Sequence, residues 1–452
     1  MTFKQLTILA NYWQKFTTGS VSRQIFGAAL IVGLFTALVK VAAMAKELVI
    51  AWRFGTGDSV DAFLIALEFP ALIINVISNS FAPALIPVYI KLQEKEGNQA
   101  AHKLLSGVLV CAIALLGITT IVMVATAPIY LPWIASGFTP EKLRLTFYLL
   151  CAIAPFTFLS GFSVIWGAVL NARERFALAS LLPILIPFVT IILLFVAQSW
   201  GMFALAAGLV IGTVLEITFL AVSLRRQGIP LLPKWNGWDR NLRQVAVQYL
   251  PIVAGALLIC SASPIDNTMA AMLPAGSVAS LNYGHRLISS SISLISTALS
   301  AAVIPYFAKM IAYKDWQEVK HTLQQYTRLI FFSTIPLTGL FITFSRPIVQ
   351  LVFQRGFFSA EDTDIVAQVQ SLYALKIPFY LGDLLLIRLI NSMGQNHILS
   401  LVSGFNLIVN ISLNYIFMQW IGVKGIALST SFVYIFSFLI LFAFVNRKLA
   451  KY

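Results

Sequence analysis

The sequence has 452 residues, of which 59% are hydrophobic and only 11% are charged. A soluble domain carries about 25% charged residues, so this composition excludes a soluble globular protein and indicates a multi-pass membrane protein. The three cysteines, Cys111, Cys151 and Cys260, lie far apart in apolar runs and have no metal-ligand spacing. The sequence therefore predicts neither a disulfide framework nor a metal site.

Apolar runs long enough to cross a bilayer follow one another along the chain. A bilayer core about 30 Å thick needs roughly 20 residues per helix, and none of the runs shows the strict alternation of a barrel strand. We therefore predict an all-α membrane protein with about twelve transmembrane helices. The runs cover residues 24–51, 61–90, 104–127, 143–170, 178–198, 201–224, 245–272, 278–308, 325–345, 367–393, 397–420 and 424–446.

The first predicted helix follows an N-terminal tail at 1–23 and carries Lys40, Lys46 and Glu47. It lacks a clear cleavage site, so we predict a retained helix and not a signal peptide. A charge at a helix centre costs at least about 2.5–3.5 kcal/mol, which makes these residues candidates for function. Lys46 has a second interpretation, in which it lies near the outer end and reaches the interface by snorkelling. Glu47 points about 100° away from Lys46, so we expect it to pair with another helix.

The second predicted helix ends in a segment that recurs in the second half of the chain. Ser78–Lys91 matches Ser296–Lys309 at a shift of 218 residues, and each half contains six predicted helices. Because six is an even number, the two copies have the same orientation and are related by a pseudo-two-fold axis along the membrane normal. We therefore predict two six-helix lobes, at 24–224 and 245–446, joined by a basic linker at 225–244.

Lysine and arginine residues are distributed unequally between the loops of the two predicted sides, with 19 on one side and 5 on the other. The richer side includes the N-terminal tail, the linker and the C-terminal tail at 447–452. The positive-inside rule then predicts that both termini face the cytoplasm. The net charge of +14 follows from this topology, so we predict no nucleic-acid partner.

Opposite charges occupy equivalent positions in the two halves. Glu68 in the second predicted helix corresponds to Arg286 in the eighth at the same shift of 218 residues. If the lobes face each other across a cavity, these two residues latch one side of it; a purely structural ion pair is the alternative interpretation. Asp61, and His285 directly before Arg286, are further candidates for gating or ion pairing.

Recognisable motifs extend over nearly the whole chain. The segment Lys40–Lys91 contains F-G-T-G-D-S-V-D-A-F at Phe54–Phe63 and A-L-I-P at Ala84–Pro87. The second half contains Y-G-H-R-L at the end of Gly276–Leu287 and F-Q-R-G-F-F-S at Phe353–Ser359. With these motifs the sequence resembles the MurJ/MviN lipid II flippases of the MOP exporter superfamily.

The resemblance implies a V-shaped transporter of two lobes that works by alternating access, and not an enzyme. Family members flip an undecaprenyl-diphosphate-linked sugar across the bacterial inner membrane. The implied partners are therefore a polyprenyl-diphosphate-linked glycan, membrane lipids, and proteins of cell-wall or polysaccharide synthesis. A diphosphate is bound well by cationic side chains, so we expect Lys40, Lys46 and Arg286 to bind the substrate. The family has Arg where this chain has Lys40, Lys46 and Glu68, which leaves lipid II and exopolysaccharide or O-antigen units open as substrates.

The resemblance also implies a driving force, which is a monovalent cation (Na⁺ or H⁺) or the membrane potential, and no other cofactor. Some family members bind such a cation in the second lobe, and the matching positions here are Asp266, Asn391 and Gln395. A cation-coupled multidrug or small-molecule antiporter of the same superfamily stays open, although Lys40 and Arg286 disfavour cationic drugs. A membrane enzyme or a scaffold is the third class, and the short non-cytoplasmic loops disfavour an enzyme.

Overall fold

The computed structural model describes residues 21–229, 231 and 233–450, and the side chains from residue 32 onward with a few gaps near 300. Within this part of the chain the regular secondary structure is helical and contains no β-strand. By length and composition, nine spans among the described residues can cross a membrane. The prediction of an all-α membrane protein is confirmed. The outermost residues of both tails lie outside the described residues.

Helices follow one another from end to end of the described chain. Each of the twelve predicted runs falls on one of these helices or on two consecutive ones, apart from a few terminal residues. In the first half they are α1 (Val21–Phe54), α2 (Asp58–Ile73), α3 (Phe81–Glu96), α4 (Asn98–Ile134), α5 (Pro140–Ala172), α6 (Phe176–Leu181), α7 (Leu185–Val196) and α8 (Phe203–Arg226). In the second half they are α9 (Arg240–Cys260), α10 (Ala262–Ala270), α11 (Ser277–Ala312), α12 (Trp316–Thr343), α13 (Ser345–Phe353), α14 (Ala360–Ala374), α15 (Ile377–Ser392), α16 (Asn396–Ile421) and α17 (Val423–Leu449).

At least four of the predicted runs are interrupted, among them 178–198 by the 3-10 turn Leu182–Ile184, which contains Pro183, and prolines accompany the interruptions. A π-helical turn at Ile74–Ser78 separates α2 from α3 and follows Pro70 by one turn. Proline lacks a backbone N–H and clashes with the preceding turn, and π-turns are frequent where a helix has a functional irregularity. The break between α9 and α10 lies just before Pro264, and α15 begins with Pro378 at its second position.

The helix ends are fixed by residues that satisfy the free backbone groups. Ser359 accepts a hydrogen bond from the N–H of Asp362, and the Asp362 carboxylate accepts one from the N–H of Ser359, which is a capping box at the start of α14. Asp315 caps α12 in the same way through the N–H of Glu318. Gly276, before α11, has a left-handed backbone with φ +83° and no side-chain cap of its own.

The chain forms two compact units by its internal contacts. The first unit contains the described residues up to 47, together with 77–120 and 153–252, and the second contains 48–76, 121–152 and 253 onward. Helices α1, α4, α5 and α9 therefore each contribute to both units, as does the pair α2 and α3. The lobe boundaries expected from the sequence stay a prediction.

Each unit has its own apolar core, and glycines allow close helix packing. In the first unit α7 and α8 pack along Gly208 and Gly212, where a Cβ would approach Cα of Thr190 and Cα of Ile186 to 2.6 Å. This spacing of small residues is typical of membrane helices that lie close together. The second unit packs α11, α14, α15 and α17 against one another, and this bundle carries Arg286 on α11 and Asp383 on α15.

Candidate functional site

Asp61 of α2 caps the start of α11 within the second unit. Its carboxylate is 1% exposed and accepts hydrogen bonds from the backbone N–H groups of Gly276 and Ala279, each at 2.8 Å. These N–H groups have no partner inside their own helix, and the helix dipole favours a negative charge at this end. A residue from the first half of the sequence thus supplies the cap that α11 lacks.

Lys142 of α5 completes this cluster. Its Nζ lies 3.1 Å from Asp61 Oδ2 and 2.5 Å from Asp58 Oδ1, and 3.8 Å from the centre of the Phe138 ring. Lys142 is one of the five basic residues that the sequence places in loops of the outer side, because it directly precedes the predicted run at 143–170; in the structure it lies in the first turn of a helix that begins with Pro140. Its burial comes from helix packing, which the sequence alone does not show.

The motif at Phe54–Phe63, with the end of α1 before it, contacts the motif at Phe353–Ser359 within the second unit. The N–H of Phe357 donates to the carbonyl oxygen of Trp52 at 2.9 Å, and the Thr56 hydroxyl donates to the Asp362 carboxylate. A side chain at Gly356, whose φ is +60°, would collide with that Trp52 oxygen, so this contact requires glycine. The end of α1 and the Phe353–Ser359 loop are therefore held together by backbone and side-chain contacts.

Glu68 and Arg286 lie near each other, and the hydrogen bond that the structure shows for Glu68 comes from Asn267. The Asn267 amide donates to the Glu68 carboxylate, and its own oxygen accepts from Asn282 at 2.9 Å. The charges of Arg286 and of Asp266 both act on the Glu68 carboxylate. The proximity of Glu68 and Arg286 agrees with the expected latch between these two residues. That the latch opens and closes stays a prediction.

His285 and Arg286 both have exposed side chains on α11. The His285 ring packs against Tyr373 at 5.3 Å between ring centres, and the positive charges of Lys376 and Arg286 act on it. Lys376 itself is buried between the rings of Tyr373, at 4.4 Å, and Tyr434, at 5.8 Å. This part of the second unit is therefore rich in positive charge.

The predicted cations of the first helix lie in the other unit. Lys40 is exposed, whereas Lys46 is largely covered and its Nζ lies 3.1 Å from Glu47 Oε1. Glu47 therefore contacts its sequence neighbour, because the long lysine side chain reaches it, and the expected pairing of Glu47 with another helix stays a prediction. Both residues belong to the first unit, and Arg286 belongs to the second.

Asp266 of α10 lies in a polar cluster whose other members differ from those expected. Its carboxylate accepts hydrogen bonds from Asn410 at 3.1 Å, Asn414 at 2.7 Å and Thr430 at 3.2 Å. Neither Asn391 nor Gln395 contacts Asp266 in the described part of the chain. The signal in the sequence was the pair Asn410 and Asn414, two amides four residues apart on one face of an otherwise apolar helix.

The Asp266 cluster has donors suited to a small monovalent cation. Besides the carboxylate and the Thr430 hydroxyl, the cluster offers the buried Oδ1 of Asn414, which has no hydrogen-bond partner among the described residues. Carboxylate, amide and hydroxyl oxygens are the ligands that hard cations prefer. Among the described residues there is no group of three or more His, Cys, Asp or Glu side chains that could hold a metal ion.

A cavity of about 370 Å³ opens beside this cluster between α9, α10, α15, α16 and α17. Asp266 and Asp383 contribute carboxylates to its wall, and most of the remaining lining is apolar. Asp383 Oδ2 accepts a hydrogen bond from Ser437 at 2.7 Å, and both residues are buried. Nothing in the sequence indicates that Asp383 and Ser437 are partners, since they lie on different helices 54 residues apart.

Comparison with known protein families gives one match that covers most of the chain. Residues 50–452 match the family model described as "Lipid II flippase MurJ". A protein of Synechocystis sp. described as a probable lipid II flippase MurJ is 30% identical over 453 residues, which is 96% of this chain and 84% of the relative. One from Vibrio cholerae with the same description is 24% identical and covers 91% and 81% of the two chains.

Solved structures of the same fold come from two groups of transporters. A lipid II flippase MurJ in an inward closed conformation superposes with a TM-score of 0.79 at 20% identity, over 92% of this chain and 87% of the other. An inward-facing multidrug transporter of the MATE family superposes with a TM-score of 0.78 at 11% identity, over 94% and 98%. At these identities the likeness establishes the fold alone.

Proposed function

Because the chain belongs to the lipid II flippase MurJ family, we propose that it moves lipid II from the cytoplasmic to the outer leaflet of the bacterial inner membrane by alternating access. The observation that carries this proposal is the family match over residues 50–452. It makes the protein a transporter of peptidoglycan biosynthesis and not an enzyme. A related undecaprenyl-diphosphate-linked glycan is the alternative substrate, since Lys40, Lys46 and Glu68 stand where the family has Arg.

Alternating access requires that one end of the transport path closes while the other opens. The cluster of Asp61, Lys142, Gly276 and Ala279 joins helices from the two halves of the sequence by charged and backbone hydrogen bonds. Such bonds are about twice as strong as neutral ones, so they stabilise a closed end. With the termini in the cytoplasm, as the loop charges indicate, this closed end faces outward.

The substrate contributes about two negative charges, and positively charged side chains at membrane depth bind them. We propose that Arg286, Lys40 and Lys46 bind the diphosphate. Arg286 also acts electrostatically on Glu68. An anionic substrate therefore competes with Glu68 for the guanidinium, and this competition couples substrate binding to opening, because a ligand shifts a conformational equilibrium only through differential contacts.

We further propose that a monovalent cation drives the cycle. Asp266, Asn414 and Thr430 would hold it, and bound there it would neutralise the buried carboxylate. Asn414→Asp adds a second carboxylate, so Na⁺ should raise the thermal unfolding midpoint of this variant more than that of the wild type. A sodium-dependent shift that is equal in wild type, Asn414→Asp and Asn414→Ala would contradict this assignment.

Transport in reconstituted liposomes tests the proposed function. Purified protein is incorporated with fluorescent lipid II, and the fraction of label that becomes accessible to a membrane-impermeant quencher is followed with time. Wild-type protein should accelerate exchange between leaflets, and Arg286→Ala should reduce the rate at least tenfold, since about 1.5–3 kcal/mol is typical of one charged hydrogen bond.

The matched control is Arg346→Ala, which removes an exposed arginine whose Nε lies 2.7 Å from Asp364. Its transport rate should stay close to that of the wild type. If the wild type moves lipid II no faster than protein-free liposomes but does move another undecaprenyl-diphosphate-linked glycan, the alternative substrate is the correct one. Transport of neither lipid, or transport of cationic dyes instead, would contradict the proposal.

A further inference from the structure

A basic cavity of about 650 Å³ lies in the first unit, where the linker predicted at 225–244 begins. It is bounded by the start of α4, the end of α8 and the segment that follows α8. Its polar lining consists of His102, Lys103, Ser106, Arg225, Lys234 and Asn236. No acidic residue belongs to this lining among the described residues.

The walls of this basic cavity are fixed by specific hydrogen bonds. The Ser106 hydroxyl donates to the carbonyl oxygen of Lys234 at 2.9 Å and accepts from the N–H of Lys234. The Asn236 amide donates to the same carbonyl at 3.2 Å. The Ser106 hydroxyl contacts two main-chain atoms of Lys234, its N–H and its carbonyl oxygen. The position of Lys234 beside α4 therefore does not depend on the lysine side chain.

The electrostatics of the cavity favour an anion. Lys103, Arg225 and Lys234 are positively charged, and the Arg173 guanidinium lies 3.2 Å from His102 Nε2. Like charges that border one cavity repel each other, and a bound anion relieves this repulsion. Guanidinium and ammonium groups together are the usual ligands of phosphate.

Two tryptophans on the same segment indicate where the anion comes from. Trp235 is 53% exposed and Trp238 is 58% exposed, and they flank the cavity residue Asn236. Exposed tryptophan is enriched at the level of the lipid headgroups, where its ring is partly in lipid and partly in water. A site for a free, water-borne phosphate would have no use for such anchors.

We propose that this basic cavity is a binding site for the phosphate of an anionic membrane phospholipid. Lys103, Arg225 and Lys234 contact the headgroup phosphate, and Trp235 and Trp238 hold the segment at the interface. Basic cavities at the membrane surface between helices bind anionic headgroups by this chemistry. The bound lipid connects the first half of the chain to the segment that leads into the second half. The inference is independent of the transported substrate.

Lipid binding to the purified full-length protein tests the proposal. Native mass spectrometry measures the affinity for phosphatidylglycerol against phosphatidylcholine in wild type and in Lys103→Gln/Arg225→Gln. Each basic residue near a lipid surface contributes a several-fold factor, so the double variant should lose phosphatidylglycerol affinity by on the order of tenfold. The matched control is Lys314→Gln/Lys320→Gln, which removes two exposed charges elsewhere and should bind like the wild type.

Further measurements distinguish binding of the phospholipid from binding of inorganic phosphate and from general surface attraction. Trp235→Ala should weaken binding of phosphatidylglycerol and leave any binding of inorganic phosphate unchanged, and Lys103→Arg should bind like the wild type. An equal loss in the two double variants would mean only general surface attraction and would overturn the proposal. It would also be overturned if inorganic phosphate at equal concentration displaced the lipid completely, because the site would then recognise phosphate without its lipid.

Discussion

Replacing Asp61 by asparagine should open the cluster that joins α2 to α11. The amide keeps the size of the carboxylate, but its Nδ2 cannot accept a hydrogen bond, so one of the two N–H groups of Gly276 and Ala279 loses its partner. Lys142 also loses the charged partner at 3.1 Å. A hydrogen bond to a charged group is worth about 1.5–3 kcal/mol, so losing the two should cost roughly 3 kcal/mol or more.

That free energy converts into a measurable opening. At about 1.4 kcal/mol per factor of ten, the population of the open form should rise on the order of a hundredfold. Ala279 is fully buried next to the cluster, so a cysteine at this position should react with a thiol reagent only when the cluster opens. The measurement uses Ala279→Cys in a background where the three native cysteines are replaced, with and without Asp61→Asn.

Asp58→Asn is the matched control, because it removes the other carboxylate that contacts Lys142. The Asp58 side chain is 65% exposed, and an exposed ion pair contributes about 0.2–1 kcal/mol. This variant should therefore raise the reaction rate of the cysteine no more than about fivefold. Equal rates for the two variants, or a rate in Asp61→Asn that matches the parent, would refute the closing role of Asp61.

Three further outcomes follow from packing, topology and charge. Gly208→Ala should lower the thermal unfolding midpoint, since inserting a methyl group into a tight contact costs about 1–3 kcal/mol. The control Gly339→Ala should not lower it, because a Cβ at this position would meet no atom within 4 Å. Equal midpoints for the two variants would contradict the close packing of α7 and α8. A cysteine at Asn236 should escape an impermeant reagent in intact cells, and its labelling would reverse the topology. Disulfide crosslinking between α2 and α11 should show coupling between Glu68→Gln and Arg286→Gln, and additive effects would exclude the latch.

Hydrophobic patterning predicted the membrane class and the order of helices well. Each run that spans a bilayer must satisfy its backbone hydrogen bonds internally, and a long apolar run does this by forming an α-helix. The interruptions were harder to foresee. Pro70 precedes the π-turn at Ile74–Ser78, yet a single proline does not specify whether a membrane helix bends, breaks or continues, because neighbouring helices decide it.

The candidate site was predicted in part. Asp61, Glu68, Asp266 and Arg286 were found because a charge inside an apolar run is conspicuous. The hydrogen-bond partners of Asp266 were not foreseen, because Asn410, Asn414 and Thr430 come from helices more than 140 residues away in the sequence, and the cation site expected with Asn391 and Gln395 stays a prediction. Lys142 was missed for a different reason, since its place near a helix start gives no sign that the packed bundle covers it.

The contact between Trp52 and Phe357 uses only main-chain atoms, and this has a consequence for evolution. The Phe357 side chain is 77% exposed, so this residue can be exchanged for almost any other without touching the bond. Gly356 has no such freedom. In a saturation library selected for growth, this region should therefore appear as a single intolerant position beside a permissive one. A reader of that map would see no partner for the glycine, since the partner is an oxygen that every amino acid carries.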